Sequence, residues 1–249
     1  MFRMLKLKPP HGWNAVGWEL AIVTLGVLLA LAAQQWADNR DRQQQMDISM
    51  AALRDELAKH YGYAVEYRVV YPCLQAQLDR LRNRVLASGA TNDPAPYYGD
   101  YLMHYVIRQP SKVYPTDAWQ AAVTDGTTLR LDGSVRRALA GHYGQLQEVW
   151  EINKANNASE EGFVALTHKL PLDPTVRYSI IKEIEQMRGR FEYMDFENGQ
   201  IIDYLQKAHM IPPPEKARAD AQRYGTYQFC EAQGFPMRSF EEAMVAVPN

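Results

Sequence analysis

The sequence predicts an all-α chain with one N-terminal transmembrane helix, on three observations. Residues 20–37 carry no charge, and residues 20–33 are almost wholly apolar. Beyond them, apolar and aromatic residues recur at alternating spacings of four and three, over residues 46–85 and again over 180–205. That is the period of a helix with one buried seam. No segment sustains the period-2 alternation of a half-buried strand. A chain of 249 residues, 47% hydrophobic and 22% charged, has ordinary globular composition and can bury a sizeable core, so it is neither a disordered tail nor a multi-span transporter.

A span needs about 20 residues to cross ~30 Å of hydrocarbon, so the anchor is placed at residues 15–37, after a tail of residues 1–14. Trp13, Trp18 and Trp36 flank it, where amphipathic rings favour the headgroup level. The tail carries Arg3, Lys6 and Lys8, whereas Arg40 and Arg42 on the far side are offset by Asp38 and Asp41, which favours a cytoplasmic N-terminus. The rival is a signal peptide cut near Ala32, because Ala30-Leu31-Ala32 matches a small-residue cleavage site. Either choice exports residues 38–249. Glu19, at a helix N-terminus near the interface, is favoured there by the helix dipole; its alternative is a contact with a partner helix, which Gly17-x-x-x-Ala21 and Gly26-x-x-x-Ala30 would admit closely. With Arg3, Lys6, Lys8 and Glu19 set aside, 24 basic residues face 28 acidic ones, which argues against nucleic acid as a partner.

The run from Glu19 to Leu31 (ELAIVTLGVLLAL), followed by Gln34-Gln35-Trp36 and a charged helix, resembles the anchor of an uncharacterised family of bacterial single-pass membrane proteins. Ala118-Trp119 through Gly126, and on to Leu139 and Tyr143, is similar to that family's AW-x-x-x-x-x-x-G segment. Together these cover about a quarter of the chain. The family commonly has Asn-Asn-Trp where this chain has Gln34-Gln35-Trp36. The resemblance implies a bacterial inner-membrane anchor and a helical extracytoplasmic domain, and it transfers no catalytic residue.

The first long helix has the seam Met46, Met50, Leu53, Leu57, His60, Ala64, Tyr67, Tyr71, Leu74, Leu78, Leu81 and Val85. Pro72 is expected to kink or restart it, since an interior proline deletes a hydrogen bond at ~3 kcal/mol. Residues 89–116 hold turn formers and prolines around one short apolar piece, a connection with room for one short helix. Thr116 or Asp117 caps a brief helix that Gly126 stops; Asp132 or Ser134 caps the next, with Val135, Leu139, His142, Leu146 and Val149 on one face and a continuation, bent at Asn156-Asn157, to Leu170 before Pro171. Asp173-Pro174 reads as the cap and first residue of the second long helix, whose seam is Ile180, Ile184, Met187, Phe191, Met194, Asn198, Ile201 and Leu205. Two such stripes predict an elongated antiparallel bundle built on the two long helices. After Pro212-Pro213-Pro214 a helix from about Glu215 to Gln233 is expected, and then a terminal turn with the capping box Ser239-x-x-Glu242.

Chemistry-bearing patterns are sparse. Cys73 and Cys230 are either bridged or two separate buried thiols; a bridge would close a long loop in an oxidising compartment. No histidine or acid is spaced to activate either thiol. Six histidines include no pair at i, i+3 or i, i+4, and His60 on the seam reads first as a hydrogen-bonded core residue. His-Tyr-Gly recurs at residues 60 and 142. Glu192, Asp195 and Glu197 fall on different faces and read as solvated. There is no GxSxG, HExxH, P-loop or GxGxxG, so neither enzyme activity nor a cofactor or metal is expected. The cluster Tyr97, Tyr98, Tyr101 and Tyr105 reads as core with polar tips or, alternatively, as a groove for a ligand. The expected role is a non-enzymatic, membrane-anchored scaffold or protein-interaction domain whose partners are other envelope proteins or itself. An extracytoplasmic sensory domain using the tyrosine groove is the alternative.

Overall fold

The computed structural model describes residues 12–99 and 104–248. The tail with Arg3, Lys6 and Lys8, the side chain of Trp13, and Tyr101 lie outside the described residues. The chain is mostly helical: α1 (Gly12–Ala87), α2 (Asp117–Thr124), α3 (Gly133–Phe163), α4 (Pro174–Lys207), α5 (Pro214–Gln222), α6 (Gly225–Ala232) and α7 (Phe240–Ala243). It divides into two compact units, residues 1–50 and 51–249.

In the first unit α1 is long and apolar enough to cross a membrane, with a mean hydropathy of 1.8 over its most apolar window and none of that window buried by protein. The Thr24 hydroxyl donates to the Leu20 carbonyl at 2.8 Å, which satisfies the one hydroxyl of the apolar run inside its own helix. Arg40 lies 5.6 Å from the Trp36 ring, a cation on an aromatic face at the polar end of that run. Glu19 is exposed, and the space beside Gly26 is open.

In the second unit the stripe along α1 is buried from Leu53 to Val85, apart from a half-buried Tyr71. On α4, Ile184, Met187, Phe191, Met194, Asn198, Ile201 and Leu205 are buried as well. Polar pairs show how the two segments run. Arg177 donates to the carbonyls of Val85, Ser88 and Gly89, Arg82 meets Glu185, Arg188 meets Asp79 and Gln75, and Arg68 meets Asp195. Numbers fall along α1 as they rise along α4, so the segments are antiparallel. Arg177 also supplies donors to carbonyls that the end of α1 leaves without partners. The third long helix, α3, packs along α4.

Several expectations need correction. Helix α1 continues through Pro72 without a restart. The carbonyl of Val69, beside the one that Pro72 deprives of its donor, accepts the backbone N–H of Arg238 at 2.9 Å. Among its described residues the connection after α1 holds two-residue strands and no helix: β1 (Tyr98–Gly99) pairs antiparallel with β2 (His104–Tyr105), Tyr98 opposite Tyr105. The chain is therefore not wholly α. Helix α3 continues past the fully buried Asn156, as expected, but stops at Phe163 and gives way to a 3-10 turn at Val164–Thr167, short of Leu170. The single helix expected at 215–233 is two, because Tyr224 takes an extended backbone (ψ 142°) and restarts the helix at Gly225.

Helix ends follow the local chemistry. The Asp173 carboxylate accepts from the N–H groups of Thr175 and Val176, and Ser239 with Glu242 forms a capping box. Gly126 stops α2 with a φ of 79°, open to glycine at no steric cost.

Candidate functional site

Two helix faces that each carry one histidine bring those histidines together. His60 on α1 and His142 on α3, 82 residues apart, have Nδ1 and Nε2 2.8 Å apart, and both side chains are fully buried. The other ring nitrogen of His60, Nε2, lies 2.8 Å from the Pro115 carbonyl. A carbonyl only accepts, so the His60 proton sits on Nε2 and His60 Nδ1 accepts the N–H of His142 Nε2. That leaves His142 Nδ1 as a lone pair with no hydrogen-bond partner among the described residues. Burial pushes His60 down to about 4, against the Pro115 carbonyl and helped by the charge of Lys59. Burial, with His60 adding to it, holds His142 well below its ordinary range. Both rings are neutral at pH 7.

One turn before His60, the buried Glu56 carboxylate accepts from Ala118 N–H at 2.9 Å, Trp119 N–H at 3.3 Å and the Tyr143 hydroxyl at 2.5 Å. The Thr116 side chain makes no cap bond, so Glu56 caps α2 from another helix. Burial, and then the bond to Glu56, raise the Tyr143 hydroxyl far above its ordinary range. The Tyr143 ring stacks on Trp119 at 4.7 Å and meets His142 edge-on at 4.9 Å. Tyr114 packs on His60 at 5.2 Å and donates to Asn198 Oδ1 at 3.1 Å. Tyr114 and Tyr143 also line a cleft of about 450 Å³ with Lys112 and Trp150.

The same device recurs along the connection between α1 and α2. Glu160 accepts from the N–H groups of Val106 at 2.5 Å and Ile107 at 3.0 Å; burial pushes its carboxyl up to about 7 despite those two donors. Gln77 accepts the Arg108 N–H at 2.7 Å and donates to the Arg108 carbonyl at 3.0 Å. Asn92 donates to the Leu166 carbonyl at 2.9 Å and accepts from Leu170 N–H. Glu66, fully buried, pairs with Lys112 at 3.2 Å, and burial raises it to about 7 against the pull of that cation. Lys112 in turn sits 3.8 Å from the Tyr224 ring centroid.

The residues singled out from the sequence fall in several places. Cys73 and Cys230 form a disulfide with Cα atoms 6.0 Å apart. Tyr98 lines a cleft of about 610 Å³ and meets Phe229 edge-on at 5.0 Å, Tyr97 stacks on His104 at 4.9 Å, and Tyr105 lies under the Arg108 guanidinium at 4.4 Å. Asp195 is not solvated: Arg238 grips it with two bonds of 2.9 and 3.0 Å, and Arg68 approaches to 3.7 Å. Glu197 is also buried, whereas Glu192 is exposed. Among the described residues no group of three or more His, Cys, Asp or Glu is placed to hold a metal ion.

Sequence reasoning missed the braces Glu56, Gln77, Asn92 and Glu160, because a polar residue beside a seam reads as surface. The recurrence of His-Tyr-Gly at residues 60 and 142 reads as two short matches in a Tyr-rich chain, so the histidine pair was missed as well. Comparison with known proteins found no family model, curated protein or solved structure that matches the chain.

Proposed function

We propose that this is a single-pass protein of the bacterial inner membrane, anchored by residues 15–37, with its tail in the cytoplasm and residues 38–249 in the periplasm. The exported domain, an elongated antiparallel bundle on two heptad-patterned helices, acts as a non-enzymatic scaffold that contacts other envelope proteins or a second copy of itself. The observation that carries this reading is the use made of the buried polar side chains. Glu56, Glu160, Gln77 and Asn92 each hold backbone groups of a connection or helix end. A carboxylate saturated by backbone donors is a brace, and a general acid or base needs a free position facing substrate. The disulfide supports an oxidising compartment, since such bonds are rare where thiols are kept reduced. The Trp36–Arg40 contact supports a headgroup boundary there.

Fusing a reporter that works only outside the cytoplasm after Asn249 tests the topology; activity from a cytoplasm-only reporter there would overturn it. N-terminal sequencing of the mature protein separates a retained anchor from cleavage near Ala32. Photo-crosslinking residues at the exposed positions Leu129, Tyr178 and Val245 test the scaffold reading in native membranes. Adducts of discrete mass from at least one position are expected, and none from any would refute it.

A further inference from the structure

The cleft of about 610 Å³ at the C-terminal end of α1 lies in the size range of small-molecule sites, roughly 300–1,000 Å³. Its apolar surface comes from Ala87, Pro96 and Tyr98 and, at its floor, from the edges of the otherwise buried Leu81, Val106 and Phe235. Its charge comes from two arginines in different states. Arg84 is already matched, with its guanidinium on the Asp93 carboxylate and the Pro94 carbonyl. Arg80 lies 4.0 Å from the Phe235 ring centroid and, among the described residues, makes no ion pair. A planar guanidinium resting on an aromatic face keeps its edge N–H groups available, and their fork matches a carboxylate.

We propose that this cleft binds a small amphipathic monocarboxylate, its carboxylate on Arg80 and its hydrocarbon or aryl body against Leu81, Val106 and Phe235. The charge count favours the monoanion: among the charged lining residues Arg84 and Asp93 cancel and Arg80 remains, one cation for one carboxylate. The wall carrying Phe235 is held in place, because Phe235 N–H bonds the Cys230 carbonyl at 2.9 Å and Cys230 is tied to Cys73. The site is thus built before ligand arrives. It stands independently of the scaffold reading, since a scaffold can carry a ligand or not.

The test titrates the full chain in lipid nanodiscs with 4-phenylbutyrate and octanoate, and with the matching neutral amides, by calorimetry against empty nanodiscs. Saturable binding of a carboxylate is expected, with its amide weaker by about tenfold or more, the scale of a charge-assisted bidentate pair. Arg80→Gln, at an exposed position, should bring the carboxylate down to the affinity of the amide at an unchanged melting temperature. Ala87→Trp, which fills the cleft from its exposed rim, should abolish binding of both. No saturable binding of either carboxylate up to millimolar concentration, amides that bind as tightly as acids, or an Arg80→Gln protein with undiminished affinity would each overturn the proposal.

Discussion

Protonation of the buried histidine pair should destabilise this fold, and the share of His60 can be isolated. His60 titrates at about 4 in the folded chain, against 6.5 for a free imidazole. A base whose folded value lies below its unfolded value leaves the unfolded chain holding more protons between the two. Its contribution is therefore fully present above pH 6.5 and is lost as pH falls towards 4. Linkage puts the loss at about 2 kcal/mol by pH 5 and about 3 kcal/mol by pH 4. The geometry gives the cause. A proton on His60 Nδ1 faces the His142 Nε2–H at 2.8 Å, and His142 can yield only by moving its own proton to Nδ1, which has no acceptor. The other groups facing the pair are Lys59 from α1, Tyr114 from the connection and Tyr143 from α3; Tyr63 packs on Tyr114, and Glu56 accepts from Tyr143. Buried carboxyls act oppositely. Glu66 and Glu160, raised to about 7, contribute stability that is complete below about pH 4.5 and lost as pH rises through 7, so in the unmodified protein they offset the histidines' loss. His60→Gln keeps a donor for Pro115 and an acceptor for His142 but cannot titrate. Urea midpoints of the full chain in mild detergent, followed by tryptophan fluorescence from pH 7.5 to 4.5, give two curves whose difference cancels the carboxyls. The variant's curve should gain about 2 kcal/mol on the parent's by pH 5; parallel curves would refute the assignment of a buried neutral pair.

Other perturbations follow from the same contacts. Replacing Cys73 or Cys230 with Ser should cost up to about 5 kcal/mol, the chain-entropy value for a separation of 157 residues, and thiol labelling of the denatured, unreduced parent should find no free cysteine. Asp195→Ala should cost about 2–3 kcal/mol by stranding the Arg238 and Arg68 guanidinium groups, while Glu192→Ala on the exposed face stays within ~0.5 kcal/mol, both read by urea unfolding. Gly199→Ala places a methyl 2.5 Å from the Val247 Cγ2, where Val247 N–H also bonds the Gly199 carbonyl at 3.1 Å. It should cost about 1–3 kcal/mol and speed limited proteolysis after Phe240.

What could be read in advance was whatever the local pattern dictates. The stripes of α1 and α4, the Asp173 cap and the Ser239 box each depend on residues within two turns of one another. The paired strands β1 and β2 were illegible because two residues cannot display a period of two. The break at Tyr224 was hidden because nothing in Arg223-Tyr224-Gly225 forbids a helix; the ring leaves the helical path to meet Tyr63 at 5.4 Å and Lys112. Asp195 was misread for the same kind of reason, since helical spacing gives its face but not the arginine that arrives from residue 238. The candidate cleft was harder still. Tyr98 stood out by composition, whereas Arg80, whose unmatched charge defines the chemistry, looks like any exposed arginine on a helix.

The turn of α1 around Pro72 is where the chain's C-terminal segment is fastened. Proline removes the donor that would bond the Arg68 carbonyl, at a cost of about 3 kcal/mol in an isolated helix. Within the same turn the chain's C-terminal segment makes three attachments: Cys230 bonds Cys73, the Arg238 N–H bonds the Val69 carbonyl, and the Arg68 guanidinium bonds the Val245 carbonyl. Each one loses force if its neighbour is cut. Without the disulfide, the segment must reach Val69 against its full chain entropy. The disulfide and the two hydrogen bonds therefore form one structural unit. Because Phe235 lies between Cys230 and Arg238, this unit also sets the position of the wall of the candidate carboxylate cleft.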